Sequence, residues 1–241
     1  MNVRFAALTV PGRVRPTNQD SVLALDGPRK GTYVFAVADG VGGLAGGAEA
    51  SQRLVDALAA AANECGESLA SCLDARTAAI NTQLYEDGAR SGRPSGTTLV
   101  AVIVQDGNFE VLHAGDSRAY LFRASQLHRL TEDHAWVAEQ VRSGALTEAE
   151  AAESPHRNII TRCVGIEPSV EVDHRASEPC APGDTFLLSS DGLHGLVTDD
   201  ELAGALIENG PVNDVARHLV DMANDRGGTD NISVVLARVE S

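Results

Sequence analysis

Four aspartates share one kind of neighbourhood. Asp39 follows the apolar run YVFAVA, Asp116 follows VLHAG, Asp191 follows FLLSS, and Asp230 stands just ahead of ISVVL. If those runs are strands of one core, their ends can meet on one rim and bring the carboxylates together. Like charges a few ångströms apart repel by roughly 4 kcal/mol per pair even at an effective dielectric near 20, so such a cluster calls for cations. Oxygen ligands with no Cys or His beside them favour hard divalent ions, magnesium or manganese, over zinc. Gly40, Gly42 and Gly43 let the backbone bend closely around whatever Asp39 holds, and can present a carbonyl oxygen to it. In the loop RPTNQD, residues 15 to 20, Arg15 precedes Asp20 by five positions. One loop can thereby offer a guanidinium, whose planar fork suits phosphate oxygens, and a carboxylate to a metal shell. A single Asp-Gly reads as a turn, and a single Arg as a solvated charge. Recurrence of the pattern favours a cation-binding cluster, and beside it Arg15 reads better as an anion-binding group than as a solvated charge.

The elements that must position these residues follow from the apolar pattern. Val34 to Ala38 form a continuous apolar run, as in a short strand covered on both faces. Further strands are expected at 3 to 10 and 21 to 25, in a meander at 97 to 104, 109 to 115 and 118 to 123, near 169 to 176 and 184 to 190, and at 231 to 239. Helices are expected at 49 to 64 and 68 to 89, in a short segment capped by Thr198 with Glu201, and from Val212 onward. Residues 131 to 165 are polar, carry a capping-box signature at Thr147 and Glu150, and read as an insertion over the sheet surface.

The chain has 241 residues and a formal net charge of −15, from 19 basic against 34 acidic side chains. That balance argues against generic nucleic-acid binding and against an anionic membrane face. No repeat, linker, signal peptide or membrane span is legible, which points to one domain and a cytoplasmic protein. Cys65, Cys72, Cys163 and Cys180 fall at no zinc spacing and are expected to be reduced.

In order along the chain, RPTNQD, VADGVGG (37 to 43), SGTTLVA (95 to 101), HAGDSRAYL (113 to 121), LTEDH (130 to 134), LLSSDGL (187 to 193) and GGTDNISVV (227 to 235) resemble the successive motifs of the metal-dependent protein phosphatase 2C (PPM) family, bacterial branch. The resemblance spans nearly the whole chain. It implies an α+β fold, a four-layer α-β-β-α sandwich of two antiparallel sheets flanked by helix pairs. It also implies hydrolysis of phosphoserine and phosphothreonine in proteins by a metal-bridging hydroxide, opposing a bacterial Ser/Thr kinase, with a secretion-system regulator as one setting. Asp39 would bridge two Mn²⁺ or Mg²⁺ ions, the Gly40 carbonyl would join one of them, and Asp191 and Asp230 would complete the other's site. Asp116 with Asp191 would hold a third, weaker ion. Asp20 would orient water and Arg15 would bind the substrate phosphate, with a mobile flap within 131 to 165. Two positions depart from the pattern. Gln19 stands where some relatives carry Glu, and Val41 where others carry the His proposed as the leaving-group acid. His134 and His156 are candidate donors in its place, while His113 and His194 are expected to be structural. A monomer acting on phosphorylated proteins is the expected form. The alternatives are a pseudophosphatase that binds a phosphoprotein without cleaving it, and a phosphatase of an anti-sigma-factor antagonist.

Overall fold

Tyr33, Phe35 and Val37 enter one apolar core while Val34, Ala36 and Ala38 of the same strand enter another. That alternation explains a run with no polar face. The computed structural model describes residues 1–42, 46–65, 68–208 and 210–240; Gly43, expected to bend the chain beside Asp39, lies outside them. In chain order the elements are β1 (Asn2–Val10), β2 (Asp20–Asp26), β3 (Tyr33–Val41), α1 (Gly46–Glu64), α2 (Leu69–Ser91), β4 (Gly96–Thr97), β5 (Leu99–Gln105), β6 (Asn108–Ala114), β7 (Arg118–Arg123), β8 (Gln126–Arg129), α3 (Trp136–Arg142), α4 (Glu148–Glu153), β9 (Asp173–Pro179), β10 (Thr185–Ser189), α5 (Asp191–His194), α6 (Asp199–Ile207), α7 (Val212–Asp225) and β11 (Ile232–Glu240).

The strands form two antiparallel sheets. One runs β1-β11-β10-β7-β8, and the other β2-β3-β5-β6-β9 with β4 joined to β3. Phe35, Val102, Phe109, Phe186, Leu188 and Val235 fill the space between the sheets. Leu54, Leu58, Leu73 and Leu84 of α1 and α2 cover the outer face of the β3 sheet, and Leu202, Leu219 and Val220 of α6 and α7 cover that of the β11 sheet. Full burial of each such side chain stabilises by about 1.5–3 kcal/mol before chain entropy is counted. The result is the four-layer α-β-β-α sandwich. Among the described residues no helix is long and apolar enough to cross a membrane.

Several boundaries differ from expectation for physical reasons. β3 runs two residues past Asp39 because Gly40 and Val41 pair with Thr97 and Gly96 of β4. β8 is a short, mostly exposed edge strand with no apolar signal. The strand expected near 169 to 176 is β9, displaced to Asp173–Pro179 because its own residues are exposed while the apolar Val170 and Val172 that suggested it pack on the core just ahead of it. Asp191 opens the short helix α5 instead of only closing a strand. Cys65 and Cys72, expected to be reduced, are instead joined as a disulfide across the α1–α2 connection, with Cα atoms 6.4 Å apart; Cys163 and Cys180 are free. That Cα separation lies within the range a disulfide requires, and spacing alone could not show it. The expected capping boxes at Thr147/Glu150 and Thr198/Glu201 are both present.

Candidate active site

Register builds the site. Asp39 shares the inward face of β3 with Phe35 and Val37, and β2 pairing sets Asp20 directly opposite it. The Asp39 amide donates to Thr98 Oγ1 at 2.9 Å, and its carbonyl accepts from the Thr98 amide at 2.8 Å. Asp20 Oδ2 accepts from Ser233 Oγ of β11 at 2.7 Å, which ties the two sheets together at this end. Asn231 fastens the Arg15 loop: its Oδ1 accepts from the Gln19 amide at 2.8 Å and its Nδ2 donates to the Thr17 carbonyl at 2.9 Å. Arg15 Nη2 donates to Asp230 Oδ2 at 2.6 Å, with about half of the Arg15 side chain exposed (51%). Gln19 Nε2 donates to the Gly42 carbonyl at 3.2 Å.

Electrostatics show which carboxylates face each other. Burial drives the Asp39 carboxyl well above its ordinary range, and Asp20, Asp191, Asp116 and Asp230 push it the same way. Asp191 is pushed up to about 8 by burial, then by Asp116, Asp230 and Asp20. Asp116 is raised to about 6, chiefly by burial and then by Asp133, while burial raises Asp20 as well. Asp230 raises the Arg15 guanidinium by hydrogen bond and charge. Five expected carboxylates and one arginine, scattered along the sequence, therefore act on one another in one place.

This donor set fits hard cations. Asp20 Oδ1, Asp116 Oδ1 and Asp191 Oδ1 are buried without a hydrogen-bond partner. An unpaired buried carboxylate oxygen is costly, and a divalent ion with oxygen ligands removes that cost. Gly40 is hemmed in by backbone: an added Cβ would lie 2.3 Å from the Gly47 carbonyl oxygen and 2.6 Å from that of Gln19. Close packing of main chain against main chain at this point demands glycine.

Histidines hold the loop that carries Asp116. His134 donates its main-chain N–H to the Gly115 carbonyl at 2.8 Å, and its Nδ1 accepts from the Gly115 amide at 3.0 Å. His194 hydrogen-bonds the backbone of Asp116, and His113 Nε2 lies 3.0 Å from the Ser117 carbonyl. Burial disfavours the charged form of all three rings and lowers their pKa values, that of His113 to about 4. His113, His134 and Asp173 bring one potential ligand atom each within 4.8 Å of one another. The His134 ring is already committed, however: with Nδ1 accepting, Nε2 carries the proton and donates to Asp173 Oδ2 at 3.1 Å. The same commitment removes His134 as a free proton donor. His156, the other candidate, packs edge-on against Trp136 with ring centroids 5.0 Å apart.

The segment expected to form a flap carries α3 and α4 and is anchored at Ala135–Ile160 and at Val164–Thr97. Between it and the acidic cluster lies a cavity of about 620 Å³ lined by Asp116, Asp191, Val137, Val141, Arg142 and Arg157 among others. The residues that sequence reasoning missed are Thr98, Ser117, Ser233 and Asn231. Each lies inside a quoted motif, GTT, GDS or DNIS, and that position was their only signal.

Comparison with known proteins agrees with this geometry. Residues 13–237 match the family model described as Protein phosphatase 2C. The chain is 34% identical over 232 residues to the serine/threonine phosphatase stp of Listeria welshimeri, covering 93% of this chain and 91% of that protein. The structure of the S. agalactiae serine/threonine phosphatase superposes with a TM-score of 0.92 at 34% identity, covering 99% of this chain and 100% of the other. The catalytic domain of the serine/threonine protein phosphatase PstP in complex with two manganese ions superposes at 0.86 with 34% identity, covering 99% of each chain. Acidic cluster, four-layer sandwich and motif order lead to one assignment: the chain belongs to the bacterial branch of the protein phosphatase 2C family, the metal-dependent serine/threonine phosphoprotein phosphatases.

Proposed function

We propose that this chain hydrolyses phosphoserine and phosphothreonine in proteins by direct attack of water on phosphorus, opposing a Ser/Thr kinase. The observation that carries the reading is the convergence of Asp39, Asp20, Asp116, Asp191 and Asp230, three of them with buried, unpartnered oxygens. Asp39, with the Gly40 carbonyl, Asp191 and Asp230, would hold two Mn²⁺ or Mg²⁺ ions, and Asp116 with Asp191 a third. Bound there, such ions supply a nucleophile at neutral pH and offset charge on the phosphoryl oxygens. Arg15 keeps one donor on Asp230 and offers the rest of its half-exposed guanidinium to the phosphate. Asp20, anchored by Ser233 through Oδ2, leaves its buried Oδ1 without a partner, and that oxygen would accept from the attacking water. Val41 has no acidic proton to give, so the leaving alkoxide would take its proton from water, whether at the metals or in solvent.

The chain works as a single catalytic domain and a monomer in the cytoplasm, on phosphorylated proteins and not on nucleic acid, in keeping with its net charge of −15. The test is hydrolysis of a phosphothreonine peptide with manganese, with chelator, and with Asp39→Asn. Chelation and substitution should each lower the rate by more than about 100-fold, the upper range for losing even an outer partner of a metal site. Activity that survives chelation defeats the reading. Tight phosphopeptide binding without turnover would identify a phosphoprotein-binding module instead.

A further inference from the structure

Asp116 follows a backbone turn that only glycine adopts freely. Gly115 has φ +123°, and a Cβ there would lie 2.6 Å from the Thr98 side chain. The Asp116 Oδ1 atom is buried and unpartnered, so its aim depends on how firmly that backbone is held. His134 holds it on two sides. Its amide donates to the Gly115 carbonyl and its Nδ1 accepts from the Gly115 amide, at 2.8 and 3.0 Å, from a residue only 6% exposed. The ring serves this purpose in one tautomer alone, with the proton on Nε2. Asp173, on the edge strand β9 and itself held by Arg162, accepts that proton at 3.1 Å. The flap segment closes the arrangement, because the Thr161 amide donates to the His134 carbonyl at 2.8 Å.

We propose that His134 is a positioning residue for Asp116, clasping the Gly115 peptide in the tautomer that Asp173 enforces. The proposal rests on the reading of Asp116 as a cation ligand. Outer partners of this kind cost about 10–100-fold in metal affinity or activity when removed.

Two near-isosteres separate the parts of the clasp. In His134→Asn the Oδ1 atom falls where Nδ1 was and still accepts from Gly115. In His134→Gln the polar end reaches toward Asp173 and leaves the Gly115 amide unpaired. Bound Mn²⁺ is counted by electron paramagnetic resonance in the wild type, both His134 variants, Asp173→Asn and Asp116→Asn, with thermal unfolding of chelated protein as the control for folding. His134→Gln should weaken the Asp116-dependent Mn²⁺ by about tenfold or more. His134→Asn should stay close to wild type, and Asp173→Asn, at a half-exposed position, should fall between them. A merely structural role would lower the unfolding temperature of both His134 variants alike and leave Mn²⁺ binding unchanged; that result, or His134→Asn binding no better than His134→Gln, overturns the proposal. If Asp116→Asn itself binds Mn²⁺ as wild type does, the assignment of Asp116 falls first, and the two failures are told apart.

Discussion

Thr98 shows how much of the site rests on groups without charge. Its Oγ1 receives the Asp39 amide and lies 2.7 Å from Ser117 Oγ, so one hydroxyl pair joins the Asp39 strand to the Asp116 loop. Thr98→Val keeps the shape and strands a buried amide. It should cost about 1–3 kcal/mol, read as a lower urea midpoint at unchanged slope. Asp39, Asp116, Asp191 and Asp230 were legible in the sequence because an acid at the end of an apolar run, which reads singly as a turn, recurs four times. Thr98 and Ser233 were not, because a hydroxyl in or beside a strand is ordinary β composition. His134 was read as a candidate proton donor and not as an anchor of the Asp116 loop, since its burial depends on residues 160 to 164 folding back over it, a contact with no local trace.

At the scale of elements, Asp133 pins the entry of the flap to the sheet. It takes Arg118 of β7 through two nitrogens, at 2.7 Å from Nη2 and 3.1 Å from Nε, and also pairs with Arg129 of β8. The Asp133 side chain is 12% exposed and that of Arg118 21%, so removing the acid leaves guanidinium charge in a poorly solvated place. Asp133→Ala should destabilise by about 3 kcal/mol, the lower end of the range for breaking a buried pair, as measured by urea unfolding. The strands with continuous apolar runs and the two long helices α1 and α2 were readable, because both faces of a strand, or one stripe of a helix, must be apolar to be covered. β8 was not, because an exposed edge strand buries almost nothing and shows no period, and β9 was placed a few residues early for the same reason. The helix α5 spans four residues, too few for any periodicity.

For the molecule as a whole, the aspartate cluster and the buried histidines set opposite limits on pH. An unfolded carboxylate takes its proton near pH 3.9, whereas Asp191 does so near about 8 and Asp116 near about 6 in the fold. Across that window the folded chain holds more protons, so chelated protein loses stability as pH rises toward 8. His113, lowered to about 4, works the other way: the unfolded ring binds a proton from about pH 6.5 downward, so stability falls as pH drops through that range. Below about pH 6 the single histidine offsets only one of the two carboxyls. Calorimetry of chelated protein should therefore show stability falling as pH rises from about 6.5 toward 8, where His113 no longer opposes Asp191, a decline that added Mn²⁺ abolishes. An unfolding temperature that instead climbs to pH 8.5 without metal contradicts this account. The two compartments flanking β3 add a safeguard of another kind. Tyr33 and Phe35 occupy one and Ala36 and Ala38 the other, so a slip of the strand by a single position would drive two aromatic rings beneath α1 while turning Asp39 away from its partners. Side-chain bulk thus selects the one register of β3 that sets Asp39 opposite Asp20.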